Sequence, residues 1–310
     1  MRILLHRADD SADAWARELR ALLPEAEVVI WSEGGAQPPC DYAVLWSPPP
    51  AMVPELVRVK AIFLTAAGAD ALLKFDQQLP ATVPVVRLGD AGMGIQMAEF
   101  VTHTVLRHFR RFDEYEAQAR AGLWQPLAPR DKREFTIGVL GMGLLGRRVL
   151  EALATFGFPL RGWSRSPKSM DGVDCRSGAD GLDQVLRGSR VLVNMLPLTP
   201  DTSNLLDRRN LAKLPDQAYL INVARGAHVA EPDLLALIKS GRLAGATLDV
   251  FRNEPLPAQH PFWQEPRISI TPHISALTLR HESLQQIAHK IRQMQVGEPV
   301  ADVVDRNRGY

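Results

Sequence analysis

From Phe135 to Arg148 the chain reads FTIGVLGMGLLGRR. Its opening run, Phe135–Leu140, is apolar in the way of a strand buried on both faces of a parallel sheet. Gly141, Gly143 and Gly146 follow at the spacing G-x-G-x-x-G. The apolar period then changes, because Leu145, Val149, Leu153 and Phe156 fall on one face of a helix. Strand, glycine turn and helix in succession form the start of a dinucleotide-binding unit. Gly141 permits the tight turn, Gly143 lets backbone approach a pyrophosphate, and Gly146 lets helix and strand pack closely. Met142, Leu144 and Leu145, between the glycines, belong to the same candidate cofactor site. The helix start adds unpaired N–H groups and the positive end of a dipole.

Working outward, the 310 residues suffice for two domains of ordinary size. A hydrophobic fraction of 46% and a charged fraction of 23% describe a soluble globular chain. A net charge of +1 gives no field that would gather nucleic acid or an anionic membrane. No apolar run reaches the length of a membrane span, and the N-terminus turns polar too soon for a signal peptide. Cys40 and Cys175 stand far apart and in no C-x-x-C pattern, so a reduced, cytoplasmic protein is expected. His103, His108, His281 and His289 lack the pairing of ligand sites. They are expected on helix surfaces, with no metal.

Upstream of the glycine turn, Arg2–His6, Glu27–Trp31, Tyr42–Trp46, Ala61–Thr65 and Val83–Arg87 read as strands alternating with helical stretches. Ser11 is placed to cap the first helix. This unit has no glycine fingerprint and is assigned to the substrate side. Gln96–Arg120 reads as one long helix. Downstream come six strands: Phe135–Leu140, Leu160–Ser164, Arg190–Leu196, Ala218–Val223, Gly245–Val250 and Ile268–Thr271. A final helix, Leu279–Val296, returns the tail to the first unit. The expected fold is α/β with two doubly wound parallel-sheet domains. A Rossmann cofactor domain, 96–280, is inserted in a smaller flavodoxin-like substrate domain, 1–95 and 281–310.

The second strand of a dinucleotide domain commonly ends in an acid, about 20 residues past the glycines, that bonds the adenine ribose. Here that place reads Trp163-Ser164-Arg165-Ser166-Pro167-Lys168, with no acid. Arg165 and Lys168 would attract a 2′-phosphate, and Ser164 and Ser166 can donate to it. NADPH is therefore expected over NADH.

Three segments leave late strand ends, where ligands collect in open α/β sheets. They are Asn222-Val223-Ala224-Arg225-Gly226, Asp249-Val250-Phe251-Arg252-Asn253-Glu254-Pro255, and Thr271-Pro272-His273-Ile274-Ser275. Singly, each has a plainer reading as a turn or an element end. Together they suit carbonyl reduction. His273 would be the general acid, Glu254 would hold the ring and favour its protonated form, and Arg225 would grip an α-carboxylate and polarise the adjacent oxo group.

The glycine turn, VARG at Arg225, NEP at Glu254 and PHIS at His273 resemble the D-isomer-specific 2-hydroxyacid dehydrogenase family. Gly92-Met93-Gly94, Phe109–Asp113, Trp124-Gln125-Pro126, Trp163-Ser164-Arg165 and the closing Arg308-Gly309-Tyr310 narrow the resemblance to its glyoxylate/hydroxypyruvate reductase A subfamily. It implies that Arg225 orients a 2-oxo acid and that His273, paired with Glu254, is the acid/base. Asp249 and Ser275 would lie near the carboxamide, and Leu196 and Pro197 would line the cofactor. It implies that the loop Ala66–Asp70, through Ala67 and Gly68, holds the substrate carboxylate by backbone N–H groups. Trp46 either walls the pocket or serves as a core residue at a strand end. A homodimer joined through the cofactor domains is also implied. Two other readings compete: an enzyme acting on another 2-oxo acid such as phenylpyruvate, and a nucleotide-sensing binding protein. The latter has no need of an acid/base pair.

Overall fold

The computed structural model describes residues 1–35 and 37–310. It falls into two compact units, Met1–Met93 with Thr278–Tyr310, and Gly94–Leu277. In the first, β1 (Arg2–Arg7), β2 (Glu27–Ile30), β3 (Tyr42–Trp46), β4 (Ala61–Leu64) and β5 (Val85–Val86) form a parallel sheet ordered β2-β1-β3-β4-β5. That is the doubly wound order 2-1-3-4-5. β3 and β4 are apolar along their length and almost wholly buried, as strands covered on both faces must be. The helix Ala12–Leu22 lays Trp15, Ala16 and Leu19 on this sheet. Ser11 precedes it but does not cap it. Its hydroxyl is turned to Asp9 instead, in a cluster with Arg7.

The closing helix, Arg280–Gln295, packs on that first helix and pairs Arg280 and His281 with Glu18 at 2.7 Å each. The tail then bridges Val303 to Val86, and Val304 donates to the Val85 carbonyl at 2.8 Å. Lys290 is buried, yet its ammonium is satisfied by Asp302 at 2.8 Å and the Arg87 carbonyl at 3.1 Å. A buried charge is tolerable on such terms.

In the second unit the strands are β6 (Ile137–Leu140), β7 (Leu160–Ser164), β8 (Val173–Ser177), β9 (Val191–Asn194), β10 (Ala218–Asn222), β11 (Leu243–Leu248) and β12 (Ile268–Ile270). They form one parallel sheet ordered β12-β11-β10-β9-β6-β7-β8. Both units are thus the parallel α/β domains expected. The second has seven strands rather than six, because VDCRS at Val173–Ser177 is a partly exposed edge strand. An edge has one neighbour and needs no apolar run. Trp163, Leu140, Asn194, Asn222, Leu248 and Ile270 stand in register across the sheet. The chain therefore leaves several strands from one edge, on either side of the point where the strand order reverses.

The stretch 96–120 is two helices, Met93–Phe109 and Phe112–Arg120, and not one. They part at Arg111, whose φ is +61°. Its guanidinium grips Glu114 at 2.9 and 2.7 Å and the Ala128 carbonyl at 2.9 Å. No helix among the described residues is long and apolar enough to cross a membrane.

His108 also departs from expectation. It is buried, stacked on Tyr219 with ring centroids 4.2 Å apart, and Asp113 lies 3.7 Å from its Nδ1. Burial pushes this imidazole below the ordinary histidine value. The folded protein then holds it neutral while the unfolded chain takes up a proton first as pH falls. Its contribution to stability is present above the ordinary histidine range and is lost on acidification below it. Thermal melts should show Tm declining from neutral pH toward pH ~5, and the decline should be smaller in His108→Phe. Equal pH slopes in the two proteins would contradict this.

Candidate active site

The glycine turn is built by close approach. Gly141 has φ +103°, donates its N–H to the Trp163 carbonyl at 2.9 Å, and would place a Cβ 2.5 Å from the Met195 carbonyl oxygen. A Cβ on Gly146 would lie 1.9 Å from the Gly141 oxygen. A Cβ on Gly143 would meet nothing within 4 Å, so the space above the N-cap of the helix Leu144–Ala154 is open. The first intrahelical bond is Arg147 N–H to Gly143 at 3.0 Å, so the N–H groups of Leu144, Leu145 and Gly146 have no partner among the described residues and are open to an anion. A pyrophosphate suits this cradle. The Met142 side chain, by contrast, lies in the core, so this residue has only backbone to offer.

At the end of β7 the Trp163 indole is likewise core, with its N–H given to the Gly178 carbonyl at 2.8 Å. Its expected cofactor contact is corrected to a supporting one, through the carbonyl that holds Gly141. Ser164 donates its hydroxyl to the Ser166 carbonyl at 2.8 Å and so shapes the turn. Lys168 reaches back to the Met142 carbonyl at 2.7 Å and ties this loop to the glycine turn. Arg165 is exposed, with its guanidinium 3.5 Å from Asp201.

Beyond β9 and β10 the chain is held by buried amides. Asn194 and Asn222 bond side chain to side chain at 3.0 Å. Asn194 accepts from Leu196 N–H at 3.3 Å, and Asn222 accepts from Ala224 N–H at 3.3 Å and donates to the Arg225 carbonyl at 3.1 Å. These bonds fix Leu196-Pro197 and Val223-Ala224-Arg225, side by side, at the sheet edge. Residue 226 must be glycine, because a Cβ there would lie 1.8 Å from the Phe251 carbonyl carbon. The backbone turn that carries Arg225 thus rests directly on the loop that carries Glu254. The Arg225 guanidinium donates to the Ala224 carbonyl at 2.7 Å.

Glu254 and His273 meet: Nδ1 of the ring is 2.7 Å from one carboxylate oxygen, and the other accepts Phe251 N–H at 2.9 Å. Burial opposes the Glu254 charge. The His273 hydrogen bond, the Phe251 N–H and the Arg225 guanidinium outweigh it, and hold the carboxyl below the ordinary glutamate range. With Nδ1 committed to Glu254, Nε2 is the nitrogen that makes no hydrogen bond among the described residues. His273 sits at φ +56°, a left-handed conformation that costs a non-glycine residue on the order of 1 kcal/mol. Asp249, fully buried, offsets that cost. Its carbonyl takes His273 N–H at 2.9 Å, and its carboxylate takes Ile274 N–H and Ser275 N–H at 2.8 Å each and the Thr271 hydroxyl at 2.6 Å. Much of the Asp249 carboxylate is thus spent on the turn that presents His273.

In the first unit, Trp46 is partly exposed at the end of β3, with the Arg7 guanidinium 4.7 Å from its ring centroid. Arg7 also faces the Trp15 ring at 4.4 Å and donates to the Thr65 hydroxyl at 2.9 Å. Trp46 therefore stands at the strand-end edge, and not in the core. Beside Thr65, the N–H groups of Ala67 and Gly68 form no hydrogen bond among the described residues.

Sequence patterns pointed to Arg225, Glu254 and His273, and the fold gathers these side chains and their loops. They missed Asn194 and His228, and gave Asn222 no role of its own. Two asparagines closing buried apolar strands, as in VLVN and AYLIN, were the available signal, since a buried amide must find partners.

Known proteins similar to this chain are numerous. The family model "D-isomer specific 2-hydroxyacid dehydrogenase, NAD binding domain" matches residues 102–275. A glyoxylate/hydroxypyruvate reductase A of Yersinia enterocolitica is 46% identical over 314 residues, spanning 100% of each chain. Among solved structures, a D-isomer specific 2-hydroxyacid dehydrogenase of Xanthobacter autotrophicus Py2, in complex with NADPH and MES, gives a TM-score of 0.94 at 41% identity, covering 100% of this chain and 99% of that one. An NADPH-dependent glyoxylate/hydroxypyruvate reductase of Sinorhizobium meliloti, in complex with NADP and sulfate, gives 0.91 at 34% identity over 100% and 99%.

Proposed function

The chain belongs to the D-isomer specific 2-hydroxyacid dehydrogenase family, and we propose that it reduces small 2-oxo acids, glyoxylate and hydroxypyruvate foremost, with NADPH. The observation that carries this reading is the Glu254–His273 pair at 2.7 Å, on a loop whose backbone abuts the Arg225 turn. Bound at the glycine turn, NADPH supplies the hydride. The protein's own residues do the rest. Arg225 offers a planar fork to the substrate's carboxylate and oxo group, and draws electron density toward that oxygen. His273 gives the proton on Nε2 to the same oxygen as negative charge builds there. Glu254, already ionised, keeps the ring oriented and balances its charge in the protonated state. Asp249 and Ser275 set the turn that aims the imidazole. Taken by itself, the first unit offers the N–H groups of Ala67 and Gly68 as donors suited to a carboxylate.

Turnover with a panel of 2-oxo acids tests the proposal. Glyoxylate and hydroxypyruvate should give the highest kcat/KM. A marked preference for phenylpyruvate would move the substrate assignment within the same chemistry, and NADPH binding without any turnover would favour a sensor.

Cofactor choice is assigned to the loop after β7. Lys168 holds the glycine turn and so serves either nicotinamide, whereas Arg165 is the residue suited to a 2′-phosphate. Arg165→Ala should weaken NADPH binding about 10–100-fold, the worth of a charged hydrogen bond, and leave NADH within about threefold. Equal losses would remove Arg165 from that role.

We also assign a homodimer to the second unit. Ile95, Phe112, Leu123 and Trp124 expose large apolar side chains on its two N-terminal helices and the segment after them, and Trp124 is 97% exposed. Light scattering should give twice the 34.3 kDa chain mass, and Trp124→Glu should shift it toward one chain. A monomeric wild-type protein would contradict this.

A further inference from the structure

His228 takes no part in the chemistry above, yet it is fully buried among the parts that do. It lies in the turn after Arg225-Gly226. Its Nδ1 is 3.3 Å from the Arg225 N–H and 3.0 Å from the Arg225 carbonyl. Its Nε2 is 3.2 Å from the carbonyl of Pro197, in the loop after β9. A carbonyl only accepts, so the ring gives its hydrogen through Nε2 to Pro197 O, which also accepts the Thr202 hydroxyl at 2.8 Å, and Nδ1 accepts the Arg225 N–H, while the Arg225 carbonyl takes its hydrogen from Asn222 at 3.1 Å. The imidazole thus closes a ring of buried polar contacts. Asn194 and Asn222 link the two loops at the strand ends, and His228 links them again one layer out. A buried ring that bonds at both nitrogens cannot shift without leaving polar groups unpaired, each a loss that a protein interior penalises.

We propose that His228 is a positioning residue: through one nitrogen it fixes the backbone from which Arg225 reaches the oxo acid, and through the other it fixes the Pro197 wall of the cofactor site. This rests on the roles given above to Arg225 and Pro197. The two halves of the ring are separable by isosteric amides. An asparagine side chain ends near the place of Nδ1, and a glutamine side chain extends to the place of Nε2. His228→Asn therefore keeps the hold on Arg225 and releases Pro197, while His228→Gln does the reverse.

The test measures KM for glyoxylate, kcat, and NADPH affinity by fluorescence titration, which needs no turnover, in both variants and in Arg225→Ala. His228→Gln should lower kcat/KM for the oxo acid about 10–100-fold, the cost of misplacing a substrate-orienting group by up to an ångström, with NADPH affinity within about twofold. His228→Asn should keep the oxo acid KM within about threefold of wild type and weaken NADPH about three- to tenfold, the worth of one hydrogen bond. Two variants with the same profile, or an oxo acid kcat/KM unmoved in His228→Gln while Arg225→Ala collapses, would overturn the positioning role alone. Unchanged kinetics in Arg225→Ala would overturn the reading of Arg225 and this inference with it.

Discussion

Replacing His273 with asparagine lowers kcat about a thousandfold and leaves NADPH affinity nearly unchanged, the middle of the range for loss of a general acid. Asparagine is the apt replacement, because it accepts a left-handed backbone far better than alanine. Position 273 has φ +56°, so alanine would mix lost chemistry with a relaxed turn. The amide cannot deliver a proton to a developing alkoxide at neutral pH. The turn itself stays anchored by its N–H groups on Asp249. The glycine turn is untouched, so NADPH should still bind with wild-type affinity in the same titration. A variant that retains a tenth or more of wild-type kcat would mean that another group, or water, protonates the product.

Arg225→Ala should cost as much and in a different pattern. A buried or half-buried guanidinium bonded to a carboxylate is worth about 2–5 kcal/mol, so kcat/KM for the oxo acid should fall between about 30- and 4,000-fold. Both constants should move, KM up because the ground state loses its anchor and kcat down because charge on the oxygen grows in the transition state. Arg225→Lys should recover little, since an ammonium cannot present the same planar fork. The change also reaches Glu254, because the Arg225 charge is one of the influences holding that carboxyl ionised. An effect on KM alone would assign Arg225 to binding only.

The two features that decided the reading were local in the chain and so legible. The glycine turn declares itself by spacing, and the change from a strand run to a helical period confirms it within a few residues. VARG, NEP and PHIS were readable because each lies in the loop that follows a strand. The omissions share a physical cause, since each depends on partners distant in sequence or on a neighbour not formed. VDCRS becomes a strand only because β7 offers an edge. Nothing at Arg111 breaks a helix by propensity; its left-handed turn is held by Glu114 and by Ala128 across a loop. His108 looked like a surface residue on a helix, and Tyr219, far along the chain, is what covers it. Trp163 was placed against the cofactor because of its position after the glycines, yet strand alternation and the Gly178 carbonyl turn its indole into the core. Asp249 was read as a carboxamide contact. Its carboxylate is mainly the anchor of the His273 turn, a role visible only once Ile274 and Ser275 are seen to donate to it.

The central claim is that Arg225 and His273 act on one oxygen. A crystal structure of the protein with NADP and oxamate, an unreactive mimic of a 2-oxo acid, tests it most directly. The expected map puts the Arg225 guanidinium and His273 Nε2 both at about 2.7–3.2 Å from the oxamate oxygen that stands for the reacting carbonyl, with Nδ1 still on Glu254. Oxamate bound with that oxygen out of reach of His273, or held without Arg225, would contradict it.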